Sequence, residues 1–154
     1  MSEQPHVMIV EARFYEDIAD ELLRGATAVL DEAGASYERV EVPGAFEVPA
    51  AISIAVRSME FYSGRRRFDG YVALGCVIRG ETSHYEYVCR ESARALQNLA
   101  CRYCLALGYG ILTVENRDQA AARAAVGGRN KGGEAATACL RMIGVKTQFR
   151  MYPR

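Results

Sequence analysis

The residues best suited to chemistry lie in the stretch RGETSH, residues 79–84. Gly80 lets the backbone approach a ligand closely, and Thr82 and Ser83 offer hydroxyls beside the amides that begin a following helix. Free amides at a helix start attract anions, so this stretch is suited to binding a phosphate. The alternative, equally favoured by the residues alone, is a capped loop in which a hydroxyl only satisfies those amides.

His84 closes this stretch and is one of two histidines in the chain. An imidazole beside an anion site can carry protons near neutral pH, as general acid and base catalysis requires. A single histidine is weak evidence, and a polar residue at a helix end is the alternative interpretation. The other histidine, His6, falls in the N-terminal tail and indicates no site.

A second basic cluster surrounds two glycine pairs in the sequence RAAVGGRNKGGEAA. Arg123, Arg129 and Lys131 beside the amides of a new helix are typical of phosphate binding. The alternative is a helix break with solvated charges, because glycine pairs interrupt many helices. The cluster lacks the GxxxxGK[ST] pattern of a P-loop, which disfavours ATP hydrolysis.

Aromatic residues stand at the ends of several predicted strands. Phe14 and Phe46 follow the first and second strands, and Tyr109 precedes the fourth. Each ring can stack on a planar heterocycle or pack in the core. Glu47 can accept hydrogen bonds from a polyol or amide ligand, or it can serve as a first-turn carboxylate favoured by the helix dipole.

The hydrophobic pattern alternates between short β-rich runs and longer helical periods. Such alternation predicts a flavodoxin-like, doubly wound α/β sandwich with a central four-stranded, mainly parallel sheet and helices on both faces. Ligands of such folds bind beyond the carboxyl ends of the strands, where the strand order reverses. The predicted strands are 6–12, 37–42, 70–78 and 110–115, and the predicted helices are 15–34, 46–59, 84–108 and most of the remainder, with a break at 126–133.

Composition limits the classes of function. The 154 residues, half of them hydrophobic, predict one domain spanning 1–154. Nineteen acidic and nineteen basic residues cancel, so no overall field favours nucleic acid or an anionic membrane, and the run Arg65–Arg67 predicts a solvated turn. The N-terminus has no signal-peptide pattern, and the predicted location is the cytoplasm.

Five cysteines, an odd number, indicate reduced thiols rather than a disulfide framework. Cys101 and Cys104 form a CxxC pair, but a zinc site needs four ligands and no second pair accompanies them. Both fall inside a predicted helix, and free cysteine is among the most buried residue types. The sequence therefore predicts a core role for this pair and no metal site.

Four blocks together resemble the signature of the lumazine synthase family: VPGAFEVPAA, LGCVIRGETSHYEYV, GILTVEN and GRNKGGEAA. The resemblance covers nearly the whole chain. It implies condensation of two small-molecule substrates, 5-amino-6-(D-ribitylamino)uracil and 3,4-dihydroxy-2-butanone 4-phosphate, to 6,7-dimethyl-8-ribityllumazine, phosphate and water, as a step of riboflavin synthesis. It implies no metal or redox cofactor.

The resemblance also assigns residues to the pyrimidine substrate. Phe14 would stack on the pyrimidine ring. The ribityl chain would be lined by Ala45, Phe46 and Glu47, with the carboxylate of Glu47 holding hydroxyls. The uracil edge would meet the backbone of three residues: Cys76, Val77 and Ile78.

For the four-carbon substrate, the resemblance places its phosphate against three residues: Gly80, Glu81 and Thr82. Arg123 would grip the same phosphate, and Lys131 would lie near that end of the pocket. His84 would be the catalytic proton carrier. Glu81 stands where the family often has a small residue, a departure that affects the entrance of the phosphate site.

In this family the pocket lies between subunits of a homo-oligomer. Tyr109, Arg123 and Lys131 would come from one chain, and Phe14, Phe46, Glu47 and His84 would come from the next. The short segment before the first strand favours a free pentamer over an icosahedral shell. An alternative from another class is a flavin or lumazine binder with a structural or regulatory role, because a fold does not determine a function.

Overall fold

The computed structural model describes residues 4–61, 64 and 67–151. Its strands are β1 (His6–Ala12), β2 (Ser36–Val42), β3 (Gly70–Ile78) and β4 (Leu107–Val114). Its α-helices are α1 (Glu16–Glu32), α2 (Val48–Phe61), α3 (His84–Tyr103), α4 (Arg117–Ala124) and α5 (Lys131–Gln148). A 3-10 turn, Ala45–Glu47, precedes α2.

The strands form one four-stranded sheet in the order β2-β1-β3-β4, and every neighbouring pair is parallel. This confirms the predicted α/β class. Parallel strands need long crossovers, and helices supply them here, so both faces of the sheet are covered. Continuous apolar runs follow from that burial: Val7, Ile9 and Val10 in β1 have no exposed surface.

Two hydrophobic cores lie on opposite faces of the sheet. One core joins the sheet to α1, α4 and α5, with Leu22 and Cys139 among its fully buried members. The other core joins it to α2 and α3 through Ile52 and Leu96. The helices therefore form two layers around the sheet, as the doubly wound prediction requires.

The pairing between β1 and β3 ends before β3 does. Its last partners are Glu11 and Leu74, whereas β3 continues to pair with β4 as far as Ile78. Gly75 still lies close to β1, because a Cβ added there would be 3.2 Å from the Cβ of Ala12. Beyond this point β1 and β3 separate, and we call the resulting gap at their carboxyl ends the crevice.

The glycine pair at the start of α5 has a packing role. A Cβ added at Gly132 would overlap the carbonyl oxygen of Leu22 and come within 2.9 Å of its Cα. Asn130 begins α5 in the left-handed conformation, with φ of 48°, and its side chain accepts a hydrogen bond from the amide of Gly133 at 3.3 Å. These residues seat α5 directly on α1.

Helix α3 is shorter than the predicted 84–108. It ends at Tyr103 because Cys104 adopts a left-handed conformation with φ of 54°. The last strand then begins at Leu107 instead of the predicted residue 110. The error arose because apolar residues run without interruption from the helix into the strand, so periodicity did not mark the boundary.

Two further expectations were wrong for the single chain. Cys101 and Cys104 are exposed and are not core residues: Cys101 lies in the last turn of α3, and Cys104 follows that helix. His6 is not in a tail: it begins β1, stacks on Phe68 with ring centroids 5.1 Å apart, and its Nδ1 lies 2.7 Å from Ser36 Oγ. The predicted turn at Arg65–Arg67 falls largely outside the described residues.

We expect Gly132→Ala to destabilise the protein by about 2 kcal/mol or more, because the added methyl group collides with the backbone of α1. Gly144→Ala in the same helix is the matched control, since no described atom lies within 4 Å of its added Cβ. The control should gain about 0.5–1 kcal/mol from helix propensity. Urea unfolding of both variants measures the difference, and equal midpoints would contradict close packing of α5 on α1.

Candidate active site

The crevice collects predicted site residues from the loops that follow three strands. Phe14 comes two residues after β1. The turn after β2 carries a second group, Ala45, Phe46 and Glu47. The loop from β3 to α3 carries the third group, Gly80, Glu81, Thr82 and His84. These loops meet because the carboxyl ends of parallel strands lie at one edge of the sheet.

The floor of the crevice is the end of β3. Cys76, Val77 and Ile78 are half-buried and pair with β4 on one side. On the other side their backbone faces the gap left by β1, whose pairing with β3 stopped at Leu74. Backbone groups in that position can hydrogen-bond the edge of a planar polar ligand.

Two aromatic rings in the loops after β1 and β2 are open to solvent. Phe14 is 74% exposed and Phe46 is 57% exposed, whereas Ala45, next to Phe46 in the turn after β2, is buried. The ring of Phe14 contacts Tyr15 edge-on, with centroids 5.0 Å apart. Large apolar rings grouped at one edge mark a binding surface. In the free chain they remain in contact with water, and a bound ligand or partner would bury them.

The carboxylate of Glu47 lies beside these rings. Its backbone amide donates to the carbonyl of Gly44 at 3.1 Å, which closes the turn after β2. The residue is exposed, and among the described residues its side chain forms no hydrogen bond or ion pair. An ionised carboxylate of this kind can accept several hydrogen bonds from hydroxyl groups.

The start of α3 satisfies only part of its first turn: the amide of Glu86 donates to the carbonyl of Ser83 at 3.1 Å. Ser83 is the N-cap, yet its hydroxyl makes no capping hydrogen bond. Thr82 Oγ1 accepts from the amide of His84 at 3.3 Å, a long and therefore weak contact. The capped-loop alternative is thus only partly realised, and the helix start retains the character of an anion site.

The imidazole of His84 projects from this helix start and is exposed. Within the part of the chain that the structure describes, neither ring nitrogen has a hydrogen-bond partner. A proton can therefore be exchanged at His84 without breaking a structural contact.

Arg79 holds the loop before α3 in place, a role that the sequence reasoning missed. Its Nε donates to Glu115 after β4 at 2.7 Å, its Nη1 donates to Glu86 in α3 at 2.8 Å, and its guanidinium lies 4.4 Å from the ring centroid of Tyr85. The hydrogen bonds to Glu86 and Glu115 raise the pKa of Arg79. Because Glu115 is 36 residues from Arg79 in the sequence, the spacing of residues along the chain did not indicate this pair.

Tyr109, Arg123 and Lys131 lie on β4, α4 and α5, outside the three loops that form the crevice. Tyr109 pairs with Ala73, five residues before the end of β4, which is about 16 Å of strand. Arg123 donates to the carbonyl of its own helix residue Gln119 at 3.2 Å. Lys131 lies at the start of α5 and pairs with Glu134 at 3.0 Å. The predicted residues therefore separate into two groups.

A cavity of about 300 Å3 opens at the other end of the sheet, against residues such as Phe68, Tyr71 and Lys146. None of the predicted site residues lines it. The crevice itself is an open groove in the single chain, because Phe14, Phe46 and the start of α3 are all exposed. Enclosure of a ligand there requires a cover from outside these loops.

The polar groups at the crevice are backbone amides, hydroxyls, one imidazole and carboxylates. In residues 4–61, 64 and 67–151, no three His, Cys, Asp or Glu side chains are grouped so that they could hold a metal ion. None of the helices in those residues is long and apolar enough to cross a bilayer.

Comparison with known proteins places these features in a family context. Residues 4–147 match the sequence model of 6,7-dimethyl-8-ribityllumazine synthase. The chain is 55% identical to a protein of that name from Bartonella tribocorum, over 97% of this chain and 95% of the relative. It is 57% identical to 6,7-dimethyl-8-ribityllumazine synthase 1 from Rhizobium meliloti, over 94% and 93% of the two chains. The relative from Paramagnetospirillum magneticum is 49% identical over 93% and 95%.

Burial raises the pKa of the Cys76 thiol to about 11, despite the charge of Arg117 nearby. Its thiolate fraction at pH 7.5 is therefore on the order of 100-fold smaller than that of a free cysteine. We expect iodoacetamide to modify Cys76 at least that much more slowly than free cysteine, with a rate that rises about tenfold per pH unit up to pH ~10. Peptide mass spectrometry measures this rate, and the same reaction in guanidinium chloride is the control. Rapid modification that levels off near pH 8 would contradict the buried thiol.

Proposed function

Because the chain belongs to the 6,7-dimethyl-8-ribityllumazine synthase family, we infer that it catalyses the penultimate step of riboflavin biosynthesis. It is a transferase that condenses 5-amino-6-(D-ribitylamino)uracil with 3,4-dihydroxy-2-butanone 4-phosphate. The products are 6,7-dimethyl-8-ribityllumazine, phosphate and water. The observation that supports this chemistry best is the crevice, which combines a free backbone edge, two exposed rings and an open helix start.

The pyrimidine substrate lies along the end of β3. The backbone of Cys76–Ile78 hydrogen-bonds the uracil edge, and the ring of Phe14 stacks on the heterocycle. The ribityl chain extends toward Ala45 and Phe46. The carboxylate of Glu47 accepts hydrogen bonds from its hydroxyls, a role that suits a side chain without an internal partner.

The phosphate of the four-carbon substrate lies at the start of α3. Gly80, Glu81 and Thr82 surround it, and the helix amides stabilise its charge. The carboxylate of Glu81 opposes an anion, so its side chain must point away from the phosphate when the substrate binds. Arg123 and Lys131 supply positive charge to this end of the pocket, and the planar guanidinium can bind two phosphate oxygens at once.

The reaction needs alignment and proton transfer. The 5-amino group of the pyrimidine attacks the ketone, and loss of water gives an imine. Elimination of phosphate follows, and the ribitylamino nitrogen then closes the second ring with loss of a second water. His84 carries protons between these steps, since its imidazole stands free beside the leaving phosphate. Holding both substrates in the crevice supplies most of the rate.

A second copy of the chain completes the pocket. The supporting observation is the division of the predicted residues into two groups: Tyr109, Arg123 and Lys131 lie on elements other than the loops that carry Phe14, Glu47 and His84. Interlocking copies would cover the open groove with these residues. We place the enzyme in the cytoplasm as a homopentamer with five such shared sites, because a closed ring repeats one contact without leaving a free end.

We expect Arg123→Ala to lower the rate of lumazine formation at least about 100-fold and His84→Ala about tenfold. The guanidinium binds the leaving phosphate directly, whereas water can replace part of the proton transfer by the imidazole. Lumazine fluorescence above the uncatalysed background measures both rates.

Arg24→Ala, on the exposed side of α1, is the matched control and should keep full activity because Arg24 pairs with Glu21 and lies outside the proposed site. A His84→Ala variant without turnover, next to a nearly normal Arg123→Ala, would reverse the assignment. Tight riboflavin binding without product formation by the wild-type chain would contradict the enzyme itself.

The shared pocket predicts complementation between two inactive variants. One chain carries Arg123→Ala, and the other carries Phe14→Ala with Glu47→Ala. When the two are unfolded and reassembled at equal ratio, about one quarter of the sites pair an intact crevice with an intact Arg123, by random mixing of copies. Recovery of about a quarter of wild-type activity is expected. Activity no greater than the mean of the two variants would show that each site belongs to one chain.

A further inference from the structure

We propose that Arg13 is a positioning residue for the ring of Phe14, acting through the loop that joins β1 to α1. The inference rests on the proposed function, in which Phe14 stacks on the pyrimidine. The proposal explains what fixes the position of the Phe14 ring, which the other crevice residues do not determine.

The guanidinium of Arg13 bridges the two elements on either side of Phe14. Its Nη1 donates to Glu11 Oε1 at the end of β1, at 2.8 Å. Its Nη2 donates to Glu16 Oε2 in the first turn of α1 at 3.0 Å, and also to Asp20 one turn further along. Both ends of the loop are therefore tied to one side chain.

The connection is buried on its β1 side, whereas its partners on α1, Glu16 and Asp20, are 70% and 68% exposed. The side chain of Arg13 is 10% exposed and that of Glu11 is 3% exposed. Arg39 of β2 also donates to Glu11, with Nε 2.7 Å from Oε2, so the buried carboxylate is paired on both oxygens. Pairing is required here because an unpaired buried charge is strongly unfavourable. Burial acts to lower the pKa of Arg13, but hydrogen bonds to Asp20, Glu11 and Glu16 outweigh it and raise the pKa.

The ring of Phe14, by contrast, has little to hold it. It is 74% exposed, and among the described residues its aromatic contact is with its neighbour Tyr15. Tyr15 is itself covered by Arg117, whose guanidinium lies 5.7 Å from the ring centroid and which pairs with Asp17 of α1. An exposed ring that must stack on a ligand depends on its backbone for position, and Arg13 restrains that backbone.

A role in stability alone is the rival explanation, because loss of a buried ion pair also destabilises a fold. The two explanations differ in one respect. A positioning residue acts on the ligand through Phe14, so its effect must disappear when the ring of Phe14 is absent. A residue that only stabilises the fold affects binding equally with or without that ring.

A double-mutant cycle of Arg13→Met and Phe14→Ala tests the proposal. The measurement is the Kd of the wild type, both single variants and the double variant for 5-amino-6-(D-ribitylamino)uracil, by isothermal titration calorimetry. When Phe14 is present, we expect Arg13→Met to raise the Kd about tenfold. In the Phe14→Ala background, the same substitution should raise the Kd less than about twofold. Arg24→Met is the matched control: Arg24 pairs with Glu21 on the exposed side of α1, and its loss should leave the Kd unchanged.

An equal loss of affinity in both backgrounds, or an unchanged Kd in Arg13→Met, would overturn the proposal. If Arg13→Met does not fold, the pair Glu16→Ala with Asp20→Ala removes the helix contacts and leaves the buried pair with Glu11 intact. That variant should weaken binding about threefold, again only when Phe14 is present. Turnover by the wild type tests the proposed function separately: binding of the pyrimidine without product would refute the enzyme and leave the cycle informative.

Discussion

The separation of β1 from β3 beyond Leu74 is the constraint on which the site depends. The order β2-β1-β3-β4 requires the chain to leave β1 toward one edge of the sheet and β3 toward the other. The two following loops diverge, and the end of β3 keeps a partner on one side only. Backbone N–H and C=O groups without a hydrogen-bond partner are unfavourable when they are buried. A planar polar ligand can supply those hydrogen bonds to the free edge of β3.

The loops around that gap are held by arginines that bind carboxylates on the regular elements. Arg13 connects β1 to α1, and Arg79 connects the loop before α3 to the end of β4. Gly80, in the loop before α3, has no side chain and lets the backbone come close to a ligand. Ionic bridges to strands and helices hold these loops in place without filling the crevice with side chains.

The packing of α5 on α1 fixes where the chain holds Lys131. Gly132 brings the start of α5 against Leu22, halfway along α1, and Lys131 is therefore kept on the outer side of that layer. Arg123 is held nearby on α4. The groove remains open in one copy, and the proposed neighbouring copy both encloses the substrates and adds the missing cations.

The sequence by itself determined the parallel α/β sandwich, the bounds of β1 and β3, and the loops that carry Phe14, Glu47 and His84, because hydrophobic periodicity and signature blocks are local properties. It did not determine the end of α3, where a left-handed Cys104 interrupts an unbroken apolar run. Only the tertiary structure decided that Glu11 is a buried partner of two arginines. Such contacts join residues far apart in the chain, and their distances are set by strand order and helix packing rather than by spacing.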